Sequence, residues 1–295
     1  MCGTCGCTDP ANTVTMTGPA NGEQSILRQG PAPSRTHDHA HGHAPHSHHD
    51  HDHDHHHDAP HVHGPNGEMI SLEQAVLAKN DQIAMRNRGW FEGRGVVALN
   101  LVSSPGAGKT TLLERTIKDL AGRIEIAVIE GDQMTDNDAA RVRVAGARAI
   151  QINTGAGCHL EADMIAQAVE ALDPAPGSML MIENVGNLVC PAMFDLGERM
   201  KVAVISTTEG EDKPLKYPHM FRAADVVIVN KIDLAPHVNF DEAGCCENIR
   251  TVNPKAKVLT LSALTGEGMA QWIDLLMGFV TAMPLKGSDS KEPQC

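Results

Sequence analysis

Aromatic side chains are scarce: two Trp, one Tyr and five Phe, 3% of 295 residues. A core built here must close on Val, Ile, Leu, Ala and Met instead. No run of 18 or more apolar residues occurs, which argues against a membrane span. Positive charge is also in deficit, with 24 Lys and Arg against 37 Asp and Glu and a net charge of -13. An acidic surface repels phosphate backbones, so the balance argues against a nucleic-acid partner. The opening MCGTCGCTDP has neither the basic start nor the apolar stretch of a secretory signal. A cytoplasmic protein with reduced thiols is therefore expected. A chain this long needs no disulfide staples, so its eight cysteines invite a metal-site reading where they cluster.

Two such concentrations stand at the start. Cys2, Cys5 and Cys7 fall within six residues, and Gly3 and Gly6 permit the tight turn that brings thiolates onto one soft ion. Residues 11–36, rich in Pro, Gly, Ser and Thr, read as linker. Residues 37–63 then hold 14 of the 17 histidines and five aspartates, with no Lys or Arg. Such a tract builds no apolar core and is expected to be disordered without ligand. Its imidazoles suit nickel, zinc, copper or cobalt, as a store or buffer. Residues 71–88 predict a helix, with Ser71 and Gln74 as a capping box and Leu72, Val76, Leu77 and Ile83 as a partly apolar face. WFEGRG then reads as a loop. The boundaries expected are a metal-binding tail 1–68, a helix and connector 69–94, a main domain 95–282 and a flexible end 283–295.

The main domain carries a phosphate-binding pattern. Residues 96–102, VVALNLV, read as a strand running into SSPGAGKTTLLERTI. Backbone N–H groups of such a turn, with the helix N-terminus behind them, surround phosphates. Gly106, Ala107 and Gly108 form the turn, Lys109 reaches the phosphates, and the Thr110 hydroxyl, followed by Thr111, suits Mg2+. The strict pattern wants Gly at 103, where this chain has Ser103; Ser fits if that position needs no positive φ. Predicted strands 124–130 and 178–182 deliver Asp132 and Glu183 to the sheet's carboxyl end, with Gly186 just beyond, where an acid and a glycine can sense a γ-phosphate. Strand 225–229 precedes Asn230, Lys231 and Asp233, and an Asp carboxylate accepts from the N1–H and amino group of guanine, a donor pair adenine lacks. Asn230 and Lys231 would steady the loop, and a backbone amide at Ser262, Ala263 or Leu264 can meet the guanine O6. GTP/GDP is therefore favoured over ATP. Helical stretches 109–121, 135–145, 160–171, 239–250 and 266–280 alternate with strands, predicting an α/β fold with a doubly wound, largely parallel sheet and helices on both faces.

A further metal set lies inside this domain. Cys158 and His159 are adjacent, and Cys190 follows Glu183 by seven residues. Three ligands leave a position for water, or for a second copy of the chain across a two-fold axis. Cys245, Cys246 and Cys295 fit no site.

The motifs SSPGAGKTTLL, IEGDQMTDNDAAR, NTGAGCHLEADM, IENVGNLVCPAMFDLGE, TEGEDKPLKYPHMF and VNKIDL resemble the HypB family of GTPases, which assist nickel insertion into nickel–iron hydrogenase. The resemblance spans about residues 95–280 and the Cys-rich start, and Ser103 is a familiar variant in that family. It implies Lys109 and Thr110 for phosphate and Mg2+, Asp132 in a first switch, Glu183 in a second, and Asp233 for guanine. It also implies a nucleotide-responsive Ni2+ or Zn2+ site at Cys158, His159 and Cys190 in a dimer interface. Cys2, Cys5 and Cys7 resemble the high-affinity nickel motif seen in some members of the family, and the His tract the storage segment of others. Implied partners are a HypA-type metallochaperone and the hydrogenase large subunit. The alternatives are a urease-type nickel GTPase, whose C-P-H motif is missing here, and a nickel or zinc storage protein with a secondary GTPase.

Overall fold

Seven residues of unbroken burial, Val97–Ser103, form a strand covered on both faces, as a central parallel strand must be. In the computed structural model, which describes residues 14–18, 24–27, 61–63, 69–133 and 137–281, this strand is β5 of a nine-stranded sheet. Before it come β1 (Thr15–Thr17), β2 (Gln24–Ile26), β3 (His61–His63) and β4 (Met69–Ser71). After it come β6 (Ile126–Asp132), β7 (Arg148–Asn153), β8 (Met179–Glu183), β9 (Met200–Ser206), β10 (Val226–Asn230) and β11 (Lys257–Thr260). The order is β11-β10-β9-β5-β8-β6-β7-β1-β2. The strands from β11 to β7 are parallel, whereas β1 joins β7 antiparallel and β2 joins β1 antiparallel, so the sheet is mixed.

Alternation along the strands separates two apolar layers. Leu99, Leu101, Val128, Met181 and Val202 face one side, with Leu112, Leu113 and Trp272 packed on them. The latter come from α2 (Lys109–Leu120) and α9 (Met269–Thr281), and α3 (Asn137–Ala145) adds Val142. Ala98, Ile129, Ile152 and Ile182 face the other side under Phe91, from α1 (Leu72–Arg94), and Ile165, from α4 (Ala162–Leu172). There too lie α5 (Cys190–Met193), α6 (Lys213–Lys216), α7 (Pro218–Ala223) and α8 (Glu242–Val252), with Phe221 and Cys245 packed against Val102 and Ala203.

Three readings of the N-terminal third change. The capping box on α1 is present, with Gln74 N donating to Ser71 Oγ at 3.2 Å and Ser71 N to Gln74 Oε1 at 3.3 Å. WFEGRG, however, is not a loop. The helix runs through Arg94, whose guanidinium sits over the Trp90 ring, and stops at Gly95, whose φ of 66° ends it in the left-handed region. Its buried face is also more polar than expected: Asn80, Ala84, Asn87 and Phe91 are buried, while Val76, Leu77 and Ile83 are half-buried. Asn80 donates to Asp195 O at 2.7 Å and accepts from Ala162 N at 2.9 Å. Asn87 donates to Ala162 O at 2.8 Å and Leu196 O at 3.1 Å. Finally, β1 and β2 lie within the stretch read as linker, and β3 pairs with β4 at the end of the His tract. Cys2, Cys5, Cys7, residues 37–60 and Cys295 lie outside the described residues.

Candidate nucleotide and metal site

The parallel strands all present their carboxyl ends to one edge of the sheet, and the predicted site residues gather there. Between β5 and α2 the chain turns through Gly106 (φ 77°) and Gly108 (φ 97°). A Cβ on Gly108 would stand 2.6 Å from Asn230 Nδ2, so this turn tolerates no side chain. Ser103 belongs to the strand, outside the left-handed region, which is why Ser suffices there. Asn230 Nδ2 donates to Ala107 O at 3.0 Å, and its Oδ1 accepts from Ala263 N at 3.1 Å. Lys231 Nζ donates to Gly106 O at 2.7 Å. One Asn thus ties the glycine turn to the loop of Ser262, Ala263 and Leu264. Asp233 Oδ1 is buried and has no hydrogen-bond partner.

Lys109 is buried, and its Nζ donates to Ser103 Oγ at 2.7 Å. Burial pushes its ammonium below the ordinary lysine range, opposed by the nearby Glu183 and Glu130 charges. Thr110 Oγ1 donates to Glu183 Oε1 at 2.8 Å, leaving Glu183 Oε2 buried without a partner. Asp132 Oδ1 accepts from Gln133 N at 2.7 Å, and Gln133 Nε2 donates to Gly157 O at 3.2 Å. The sequence reading missed Glu130, the register partner of Glu183, also buried and with Oε2 unpartnered. It missed Glu209 as well, which accepts from Ser104 Oγ in the glycine turn and pairs with Lys213 at 3.1 Å. Thr111 lies on α2 and is half-buried.

Burial pushes Glu183 up to about 7 and Glu130 up to about 9, with the Glu183 charge adding to the second. Both are raised above the ordinary 4.5. Their contribution to stability is therefore full below that value and is lost as pH rises through about 7 and then about 9. His159 runs the other way: burial pushes it down to about 4, so its contribution is lost as pH falls through that value. The metal- and nucleotide-free chain should thus lose stability between pH ~7 and ~9, and Glu130→Gln should flatten that decline. Urea midpoints across this range in chelator measure it.

Cys158, His159 and Cys190 come together. Cys158 Sγ lies 2.9 Å from Cys190 Sγ and 3.6 Å from His159 Nδ1. One ligand atom from each lies within 4.8 Å of the others, and this is the one three-residue ligand cluster among the described residues. The His159 ring is buried against Phe194 at 3.8 Å between centroids. It is held neutral, as a metal-binding imidazole must be. Cys190 opens α5. Between Glu183 and Cys190, Asn184 Oδ1 accepts from Leu160 N at 3.1 Å, pinning one metal-bearing loop to the other. Gly186 lies so close to Pro105 that a Cβ there would stand 3.1 Å from its ring. The glycine turn, the loop after Glu183 and the thiol cluster therefore form one packed unit. A cavity of about 710 Å³ lined by Arg88, Glu198 and Phe279 lies at the other end of the sheet, away from this unit.

A mixed, largely parallel sheet with a glycine turn, buried lysine and carboxylates at one edge defines a nucleotide-binding α/β protein, here with a soft-metal cluster in the same unit. The family model described as CobW/HypB/UreG, nucleotide-binding domain, matches residues 97–260, and the chain belongs to the HypB family. It is 64% identical over 210 residues to the hydrogenase maturation factor HypB of Rhizobium leguminosarum bv. viciae, covering 71% of this chain and 70% of that one. It is 48% identical over 286 residues to the HypB of Escherichia coli (strain K12), covering 94% and 98%. The crystal structure of HypB from Helicobacter pylori in complex with nickel matches with a TM-score of 0.64 at 39% identity, covering 69% of this chain and 95% of that one. No helix among the described residues is long and apolar enough to cross a membrane.

Proposed function

We propose that this chain is a GTP-hydrolysing nickel metallochaperone that assists nickel insertion into nickel–iron hydrogenase, its nucleotide state controlling dimerisation and metal transfer. One observation carries the reading: eight residues, Glu183 to Cys190, join the acid beside Thr110 to a metal ligand, and Asn184 fastens that stretch to Leu160 beside His159. A loop that responds to the γ-phosphate then moves a metal ligand with it.

The residues fit a guanine nucleotide and Mg2+. Asp233 has a buried oxygen without a partner, as a base-reading carboxylate needs. Glu183 Oε2 is likewise unpartnered beside Thr110, and the Lys109 ammonium is held by one hydroxyl that phosphate oxygens can replace. On this reading Gly106, Ala107, Gly108 and Lys109 cradle phosphates, and Thr110, with Asp132, holds Mg2+. Mg2+ held there would supply positive charge to offset that developing on the transferred phosphoryl group. Lys109 adds its ammonium to the same charge, and Glu183, with Gly186 at its side, orients water or the metal's water shell. Thr111, Asn230, Lys231, Ser262, Ala263 and Leu264 complete the pocket.

Nickel is cargo, held by Cys158, His159 and Cys190, with zinc as a competitor for the same ligands. Val189 and Met193 are exposed on either side of Cys190, which supports a dimer interface at this point. The tail 1–68 adds Cys2, Cys5 and Cys7 and the His store, 69–94 the helix, 95–282 the GTPase domain and 283–295 an extension. The partners are a HypA-type metallochaperone and the hydrogenase large subunit, in the cytoplasm. The test is nickel titration of a Cys2→Ala, Cys5→Ala, Cys7→Ala variant with GDP and with a non-hydrolysable GTP analogue. Affinities should differ by about 5- to 150-fold; equal affinities would sink the proposal.

A further inference from the structure

The two ring nitrogens of His159 face different neighbours. Nδ1 lies 3.6 Å from Cys158 Sγ, on the side of the thiol pair. Nε2 is buried and has no hydrogen-bond partner. Phe194 covers the ring at 3.8 Å between centroids, which leaves it little room to tilt. A neutral imidazole carries one proton on its two nitrogens, so the nitrogen that keeps its lone pair for an ion leaves the other with a proton to place. Glu161 Oε1 stands 3.8 Å from Nε2, about 1 Å beyond hydrogen-bond length.

We propose that Glu161 is a positioning residue for the internal metal site: its carboxylate accepts a hydrogen bond from His159 Nε2, which frees the Nδ1 lone pair for the ion that Cys158 and Cys190 hold. The inference rests on the proposed metal role of those three ligands and adds the group that sets the imidazole. Glu161 is not itself a ligand on this geometry. The two nitrogens point away from each other across the ring, so an oxygen beside Nε2 stands behind the imidazole and not in front of it. The ligand cluster among the described residues accordingly holds Cys158, His159 and Cys190 without Glu161. A carboxylate behind a metal-binding imidazole fixes its tautomer and orientation and makes the donor nitrogen more basic.

The backbone on both sides of Glu161 is tied down. Leu160, between His159 and Glu161, donates its N–H to Asn184 Oδ1 at 3.1 Å. Ala162 donates its N–H to Asn80 Oδ1 at 2.9 Å and accepts from Asn87 Nδ2 at 2.8 Å. One flank is therefore held by the loop after Glu183 and the other by α1. The side chain has no capping duty to perform: Glu161 is the N-cap residue of α4, yet it makes no side-chain cap hydrogen bond. Its replacement leaves that helix start unchanged. The His159 side chain is only 2% exposed, so water has little access to Nε2 as a substitute acceptor.

Two measurements on the full chain test this. In the metal-free chain, a long-range 1H–15N correlation of His159, assigned by its loss in His159→Gln, reads the tautomer. The proton should sit on Nε2 in the parent and move to Nδ1, facing Cys158 Sγ, in Glu161→Ala. Nickel(II) is then titrated against a chelator in the background lacking Cys2, Cys5 and Cys7, read through thiolate-to-nickel absorbance. Glu161→Ala should weaken binding by about 10- to 100-fold. Glu161→Gln should recover about half of that loss on a logarithmic scale, because its amide oxygen accepts the same bond without the charge. GTP hydrolysis by each variant reports that the fold is kept. An unchanged tautomer or an unchanged affinity in Glu161→Ala, or a Gln variant no better than the Ala one, overturns the proposal. Absence of nickel binding at the unaltered internal cluster instead overturns the metal assignment on which it rests.

Discussion

Replacing Lys109 by Ala should lower single-turnover GTP hydrolysis by about 10²- to 10³-fold, the size expected on removing one preorganised charge from a reacting group. The site makes this residue hard to replace. Its ammonium is buried beside Glu183 and Glu130, two carboxyl groups that burial pushes toward their neutral forms. Without it, the two buried carboxyl groups lose the ammonium that stands beside them. Lys109→Arg should not restore the rate, because a guanidinium is broader than the space an ammonium fills next to Ser103 Oγ at 2.7 Å. Nickel bound by Cys2, Cys5 and Cys7 should be retained, which separates loss of catalysis from loss of cargo. A rate within tenfold of the parent would remove Lys109 from its proposed role.

Cys190→Ser should weaken nickel binding at the internal cluster by at least about 100-fold, since outer-shell changes alone cost 10- to 100-fold in metal affinity. A hydroxyl is a harder donor than a thiolate and needs far more base to ionise. The remaining Cys158 and His159 leave a two-ligand site that water must complete. The measurement is a competition titration against a chelator in the background lacking Cys2, Cys5 and Cys7, so that only the internal ligands report. Parent-like affinity would show that the 2.9 Å thiol pair is not a metal site.

What could be read from the sequence and what could not divide along a physical line. The glycines of the turn at Gly106 and Gly108, the carboxylates Asp132 and Glu183, Asn230 and the Cys158–His159–Cys190 set are marked by local spacing, and the structure gathers them at one edge. Strand ends moved by a residue or two: 124–130 became Ile126–Asp132, and 225–229 became Val226–Asn230. Glu130 and Asn184 were not legible, because each matters through a partner on another strand or loop, as with Leu160 N on Asn184. Glu209 carries no local spacing signal, because its contact with Ser104 spans 105 residues. The β1–β2 hairpin was hidden by composition: Thr, Gly and Pro suggest a linker, yet Met16 pairs with Ile152 because β7 leaves an open edge. Trp90 and Phe91 continued a helix where neighbouring glycines suggested a loop, since Phe91 has an apolar layer to enter.

Asn230 spans the glycine turn and the Ser262–Leu264 loop before any ligand arrives, through Ala107 O and Ala263 N. The freedom those loops lose is therefore lost when the chain folds, not when a nucleotide docks. A rigid receptor of this kind cannot relax around a poor fit. A base without guanine's paired donors would leave Asp233 desolvated and unmatched, at a cost of about 1–3 kcal/mol or more for a charged group. Discrimination between purines would then be largely enthalpic and should survive warming better than selectivity that depends on loops closing over the correct base.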